Sequence, residues 1–149
     1  MFTVTLKKTL ILCAAIAIPA FAQQNLQRTT LEIAGHRIEA ELARTAEERQ
    51  RGLMHRESLG ENQGMLFEFP QADYYCMWMK NTPIPLSIAF IDEEGRIINI
   101  EEMQAQSEQT TCAKNKARYA LEMNRAWFSQ HQITNGQPLN NLPPKNSLK

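Results

Sequence analysis

Residues 86–100 read Leu86-Ser87-Ile88-Ala89-Phe90-Ile91-Asp92-Glu93-Glu94-Gly95-Arg96-Ile97-Ile98-Asn99-Ile100. The run Leu86–Ile91 carries apolar residues on both faces of an extended chain, the pattern of a central strand. Asp92-Glu93-Glu94-Gly95 is turn chemistry, and Arg96–Ile100 forms the return strand. Just upstream, Thr82-Pro83-Ile84-Pro85 is irregular, because neither proline can donate to a ladder. Before it, Tyr74–Lys80 reads as a strand with Tyr75, Met77 and Met79 on one face and Cys76, Trp78 and Lys80 on the other.

The same reading extends outward. Gly64–Pro70 is a buried strand stopped by Pro70. Thr29–Ile33 and Arg37–Ala43 both alternate and flank an Ala34-Gly35-His36 turn, so they form a hairpin with one buried face. Thr45-Ala46-Glu47-Glu48 is a capping box that starts a short helix, with Gly52 placed to end it. Downstream, residues 103–113 are polar and aperiodic and read as a loop. Ala117–Met123 is a further strand: Arg118, Ala120 and Glu122 share one face, Tyr119, Leu121 and Met123 the other. Arg125–His131 forms a short helix, Asn135-Gly136 a turn, and Ile133 or Leu139 a last small strand. About seven short strands with at most two short helices predict an all-β sandwich or barrel.

The 149-residue chain is 43% hydrophobic and 21% charged, enough for one hydrophobic core. Its 16 basic and 16 acidic residues balance, which argues against an electrostatic grip on nucleic acid. Lys7 and Lys8 precede the apolar run Thr9–Ile18, and Pro19 and Ala20-Phe21-Ala22 follow. That is a secretory signal expected to be cleaved after Ala22. The run falls short of the roughly 20 apolar residues that a membrane anchor needs, so no stable membrane insertion is expected after cleavage. A lipoprotein signal is disfavoured by Leu12 before Cys13. The expected organisation is a cleaved segment 1–22, a mobile leader 23–28, one β-rich domain over 29–140 and a flexible tail 141–149.

Cleavage leaves 127 residues with 14 basic and 16 acidic groups, net −2, and removes Cys13. Cys76 and Cys112 remain, 36 positions apart, and in an oxidising periplasm the simplest reading is a disulfide. Two free thiols in a redox or metal site are the competing reading, weakened by the lack of a CxxC pair or Cys/His ligand spacing.

Several of these segments together resemble the domain-of-unknown-function 192 family. They are Thr45-Ala46-Glu47-Glu48-Arg49 through Arg51-Gly52-Leu53-Met54-His55-Arg56, then Gly64-Met65-Leu66-Phe67 and Trp78-Met79-Lys80-Asn81-Thr82. Ile84-Pro85-Leu86, Ile88, Phe90-Ile91-Asp92 and Ala117-Arg118-Tyr119-Ala120-Leu121-Glu122 complete the match in order and spacing, over roughly residues 30 to 139. The resemblance implies a compact jelly-roll-like fold and no particular reaction. This chain has Ser87 where the family commonly has Asp, so a mechanism using that carboxylate is in doubt here.

Candidate binding residues are Trp78, Lys80, Asn81, Thr82, Arg118, Tyr119 and Glu122. Lys80-Asn81-Thr82 ends a strand before a proline-stiffened loop, which holds donors in fixed directions at low entropic cost. Against this stands a tight turn with a solvated lysine. Arg118 and Glu122 on one face suit a polar ligand, with Trp78 or Tyr119 as an apolar platform; an Arg–Glu pair fixing sheet register is the plainer alternative. Arg49, Arg51 and Arg56 are an anion site or, more simply, a solvated face.

Met54, His55, Met65, Met77, Met79 and Met103 carry soft or imidazole groups suited to Cu(I), though Met is also a core residue and core packing is favoured. His36, His55 and His131 lack metal-type pairing in sequence. Glu68, Asp73, Asp92 and Glu122 leave open a paired-carboxylate envelope hydrolase. The favoured expectation is an exported periplasmic, non-enzymatic module for a small polar or anionic ligand or a peptide, with no cofactor and no metal.

Overall fold

The computed structural model describes residues 26–144. The expected segment 1–22 lies outside them. The elements run β1 (Arg28–Ile33), β2 (His36–Ala43), α1 (Ala46–Arg51), β3 (Gln63–Asp73), β4 (Cys76–Met77), β5 (Leu86–Ile91), β6 (Ile97–Met103), β7 (Thr111–Cys112), β8 (Ala117–Asn124), α2 (Trp127–Gln130) and β9 (Leu139–Asn140). One seven-stranded sheet, ordered β6-β5-β8-β3-β2-β1-β9, curls into a half-barrel, and β4 pairs with β7 in a separate ribbon. The expected all-β class holds.

The β5–β6 hairpin forms as its pattern predicts, and β5 is buried throughout and flanked by β6 and β8. The β1–β2 hairpin also forms, in register from Arg28 opposite Glu41 to Ile33 opposite His36. Helix α1 starts at the capping box: the Glu48 amide donates to Thr45 Oγ1 at 3.1 Å, and the Thr45 amide donates to the Glu48 carboxylate at 2.8 Å. Gly52 ends it with φ 47°, a conformation that a side chain disfavours.

Three expectations are corrected. Pro70 does not stop its strand, and β3 runs on to Asp73. Pro70 falls where the β3–β8 register breaks between Glu68 and Asp73, so its missing N–H removes no ladder bond. The strand expected over 74–80 shrinks to Cys76–Met77, although Met79 stays buried while Trp78 and Lys80 are exposed. The loop over 103–113 contributes β7, held to β4 by facing Cys76 and Cys112, whose sulfurs are bonded. Near the ends of the described residues, Leu26 and Leu142 pack on the core.

Both faces of the sheet are covered. Leu31, Ile38, Leu66, Tyr119, Leu121 and Trp127 belong to one apolar cluster; Leu53, Met65, Phe67, Ile88, Phe90 and Ala120 belong to the other. β2 and β3 run parallel, joined by a connection long enough for the crossover that parallel pairing requires. That connection carries α1 and the turn Gly52–Met54.

A slot and a groove beside the central strand

Glu122 lies on β8, opposite Met65 of β3 and Ile88 of β5. Opposed residues share a sheet face, so Glu122 projects into the cluster that contains those two side chains. Met123, one residue on, packs in the other cluster. Gly64 makes this stretch possible: a Cβ there would lie 2.4 Å from Met123 Sδ and 2.6 Å from the Glu122 carbonyl.

Glu122 is 3% exposed, and its side chain has no hydrogen bond or ion pair to another described residue. Burial disfavours its charged form and pushes its pKa up to about 8, so the acid is neutral at pH 7. It lines a slot of about 20 Å³, room for one water-sized group, together with Arg51, Met54, Phe67, Met77, Trp78 and Thr82. The slot adjoins a groove of about 440 Å³ that shares Gln50, Arg51, Met54 and Trp78 and adds Glu47, His55, Lys80 and Asn81.

Trp78 is 44% exposed, and Lys80 Nζ sits 5.2 Å from its ring centre, a cation–π arrangement. Lys80 also reaches Glu108 at 3.9 Å. Thr82 is buried: its amide donates to the Met79 carbonyl, its hydroxyl lies 3.4 Å from the Lys80 carbonyl, and its own carbonyl accepts from Gln106. These bonds are those of the tight turn, and Thr82 also lines the slot.

Arg118 and Tyr119 do not join this constellation. Arg118 Nη2 donates to Glu68 Oε1 at 3.2 Å, and Arg44 Nε donates to Glu68 Oε2 at 3.1 Å. The Glu68 side chain is fully buried. Arg118 Nη1 is buried without a hydrogen-bond partner. Tyr119 packs in the opposite cluster, so it offers no platform to the groove. Arg118 and Glu122, which share a strand, therefore do not pair: the arginine is held by Glu68, and Glu122 lines the slot.

The other candidates sort by contact. Arg49 donates to the carbonyls of Arg44 and Glu68, tying α1 to β3, and Arg56 pairs with Glu41. Arg51 has no such bond to a described residue and lines both slot and groove. Asp92 caps its own turn by accepting from the Glu94 and Arg96 amides. Of the four carboxylates considered for hydrolysis, only Glu122 lines the slot or the groove.

Met65, Met79 and Met103 are core, whereas Met54 and Met77 line the slot. No group of three or more His, Cys, Asp or Glu among the described residues is placed to hold a metal ion. His36 and His131, unrelated in sequence, meet ring to ring at 4.4 Å beside Trp127. Ser87 is buried, donating to Glu102 Oε1 at 2.6 Å and accepting from the Ala126 amide at 2.7 Å. A carboxylate thus stands beside this position, supplied by β6. Sequence reasoning did not find Glu47 and Gln50 as groove residues; their only signal was the capping box that places α1.

The fold and the site define a β-rich half-barrel with one polar slot beside its central strand. The chain belongs to the domain-of-unknown-function 192 family (DUF192, "Uncharacterized ACR"), matched over residues 29–141. No curated protein matches it. Among solved structures, it is similar to a protein of unknown function from Novosphingobium aromaticivorans DSM 12444. That match has 31% identity and a TM-score of 0.76, covering 91% of this chain and 99% of that one. It is also similar to a protein of Sinorhizobium meliloti 1021 provisionally called a transcription regulator. Here the identity is 33% and the TM-score 0.71, with 76% of this chain and 91% of that one covered.

Proposed function

We propose that the chain is an exported binding module for a small polar or anionic ligand or a peptide segment, and that it acts by holding that ligand rather than converting it. The observation that carries this reading is the joined slot and groove. An exposed indole, a lysine and a carboxamide lie at the rim, and a buried, unpartnered acid lies within. A site of this kind gives apolar contact area and a few directed polar groups, the usual make-up of a small-ligand site. Glu122 has the protonation of a general acid, yet no second carboxylate of the four candidates accompanies it, so binding is favoured over hydrolysis.

The test is a thermal-shift screen of small anions, sugars and short peptides on the wild type and on Trp78→Ala and Lys80→Ala. At least one ligand should raise Tm in the wild type and lose its effect in both variants. A ligand shift that survives both substitutions, or no shift from any compound, would sink the reading. Export is proposed on Lys7, Lys8, the apolar run and Ala20-Phe21-Ala22. Protein recovered from the periplasm should begin at Gln23; a chain retaining Met1 would overturn it.

A further inference from the structure

Resting on that binding reading, we propose that the slot receives one oxygen of a ligand carboxylate, which accepts a hydrogen bond from Glu122 while Arg51 supplies the compensating charge. Four observations support the choice of a carboxylate over an amine.

First, the Glu122 side chain is 3% exposed and has no partner among the described residues, so its carboxyl is open to whatever enters the slot it lines. Second, it is neutral at pH 7, which makes it a hydrogen-bond donor, and a donor calls for an acceptor. Third, the charged residues that line the slot with it are both cations, Arg49 and Arg51 of α1. β3 contributes Phe67 and Met65, β5 contributes Ile88, and the segment 77–82 contributes Met77, Trp78 and Thr82, none of them charged. An ammonium group entering there would meet cationic residues of α1, whereas a carboxylate would pair with Arg51, the Arg49 guanidinium being held by the Arg44 and Glu68 carbonyls. Fourth, the Arg51 side chain has no hydrogen bond or ion pair to a described residue, so its planar donors are open to a carboxylate.

The slot admits one water-sized atom, so the rest of the ligand lies in the groove. There Gln50 and Asn81 offer carboxamides and Trp78 offers a flat apolar face. Both the end of a peptide and a sugar acid present a carboxylate beside amide or hydroxyl groups, so the two sources share this chemistry.

The experiment follows the Trp78 indole N–H by NMR while titrating three probes: N-acetyl-Ala-Ala as the free acid, the same compound as its C-terminal amide, and glucuronate. The second indole, Trp127, donates to Asn62 at 3.1 Å and is buried, which makes it the internal reference. The expected result is saturable binding of at least one carboxylate probe, with the amide at least about tenfold weaker than the acid or silent. Preference between the acid and glucuronate identifies the source.

Above pH 8 the wild-type affinity should fall by about tenfold per pH unit as Glu122 loses its proton. In Glu122→Gln, which keeps a donor at every pH, the affinity should stay level. Equal binding of acid and amide overturns the inference and leaves the groove reading standing. Silence of all three probes, beside a hit from the broader screen that carries no carboxylate, overturns it as well. The acid–amide comparison uses only the wild type, so it does not depend on how any variant folds.

Discussion

The backbone amide of His55 donates to the carbonyl of Asn81 at 2.7 Å, and both residues have left-handed backbone, with φ of 63° and 56°. This bond joins the two segments that flank the groove, the turn after α1 and the stretch after Trp78. Asparagine tolerates such a conformation and a β-branched residue does not.

Asn81→Gly should therefore leave stability within about 1 kcal/mol while removing the carboxamide from the groove, and Asn81→Val should cost about 1–2 kcal/mol. Urea unfolding of both variants checks this. Equal stability of the two would mean that the backbone at 81 is not constrained as described.

The buried acid makes stability depend on pH in an unusual direction. Glu122 titrates at about 8 when folded and near its ordinary value when unfolded. Between those values the unfolded chain has released the proton and the folded chain still holds it. Stability should therefore fall as pH rises from about 4.5 to about 8, with a slope approaching about 1.4 kcal/mol per pH unit from this group. Glu122→Gln should flatten that decline, gaining on the wild type at pH 8 and matching it near pH 4. Glu39, Glu48 and Glu101 act oppositely: hydrogen bonds hold their carboxyls below the usual range, so their contribution is lost on acidification. Thermal melts from pH 3 to 9 separate the two limbs.

Glu68 carries two guanidinium partners and is itself fully buried. Glu68→Gln should cost about 3–5 kcal/mol, because Arg118 and Arg44 lose the charge that compensates their burial. Replacing Arg118 alone by Met should cost less, since Arg44 still faces the carboxylate. Chemical denaturation at neutral pH tests the order. A loss below about 1 kcal/mol in Glu68→Gln would show that this network contributes little to stability.

The Cys76–Cys112 bridge closes a loop across a 36-residue separation. Its removal should lower stability by about 2–4 kcal/mol through greater freedom of the unfolded chain. Comparing Tm of the wild type with and without reductant, and of the double serine variant, checks this. Unchanged melting on full reduction would remove the bridge from the list of stabilisers.

What sequence made legible was local. The Thr45–Glu48 capping box, the Ala34-Gly35 turn and the alternation of residues 117–123 depend on neighbours in the chain, and each appears in the structure. The parallel β2–β3 pairing and the Arg118–Glu68 contact join segments far apart, and no spacing encodes them. Alternation makes Glu122 a face-mate of Arg118, but it does not reveal that the arginine finds a buried partner of its own. Pro70 misled because a register break excuses a missing donor, and register breaks leave no mark in composition.

The strand that bears Glu122 is sandwiched between β3 and β5 and hydrogen-bonded along both margins, while the opposing wall is a two-turn helix and an irregular ribbon of chain. The hollow is thus built like a vice with one fixed jaw. A guest of awkward outline must be accommodated by residues 47–55 and 78–82, and evolution can retune those lips without disturbing the anvil behind them.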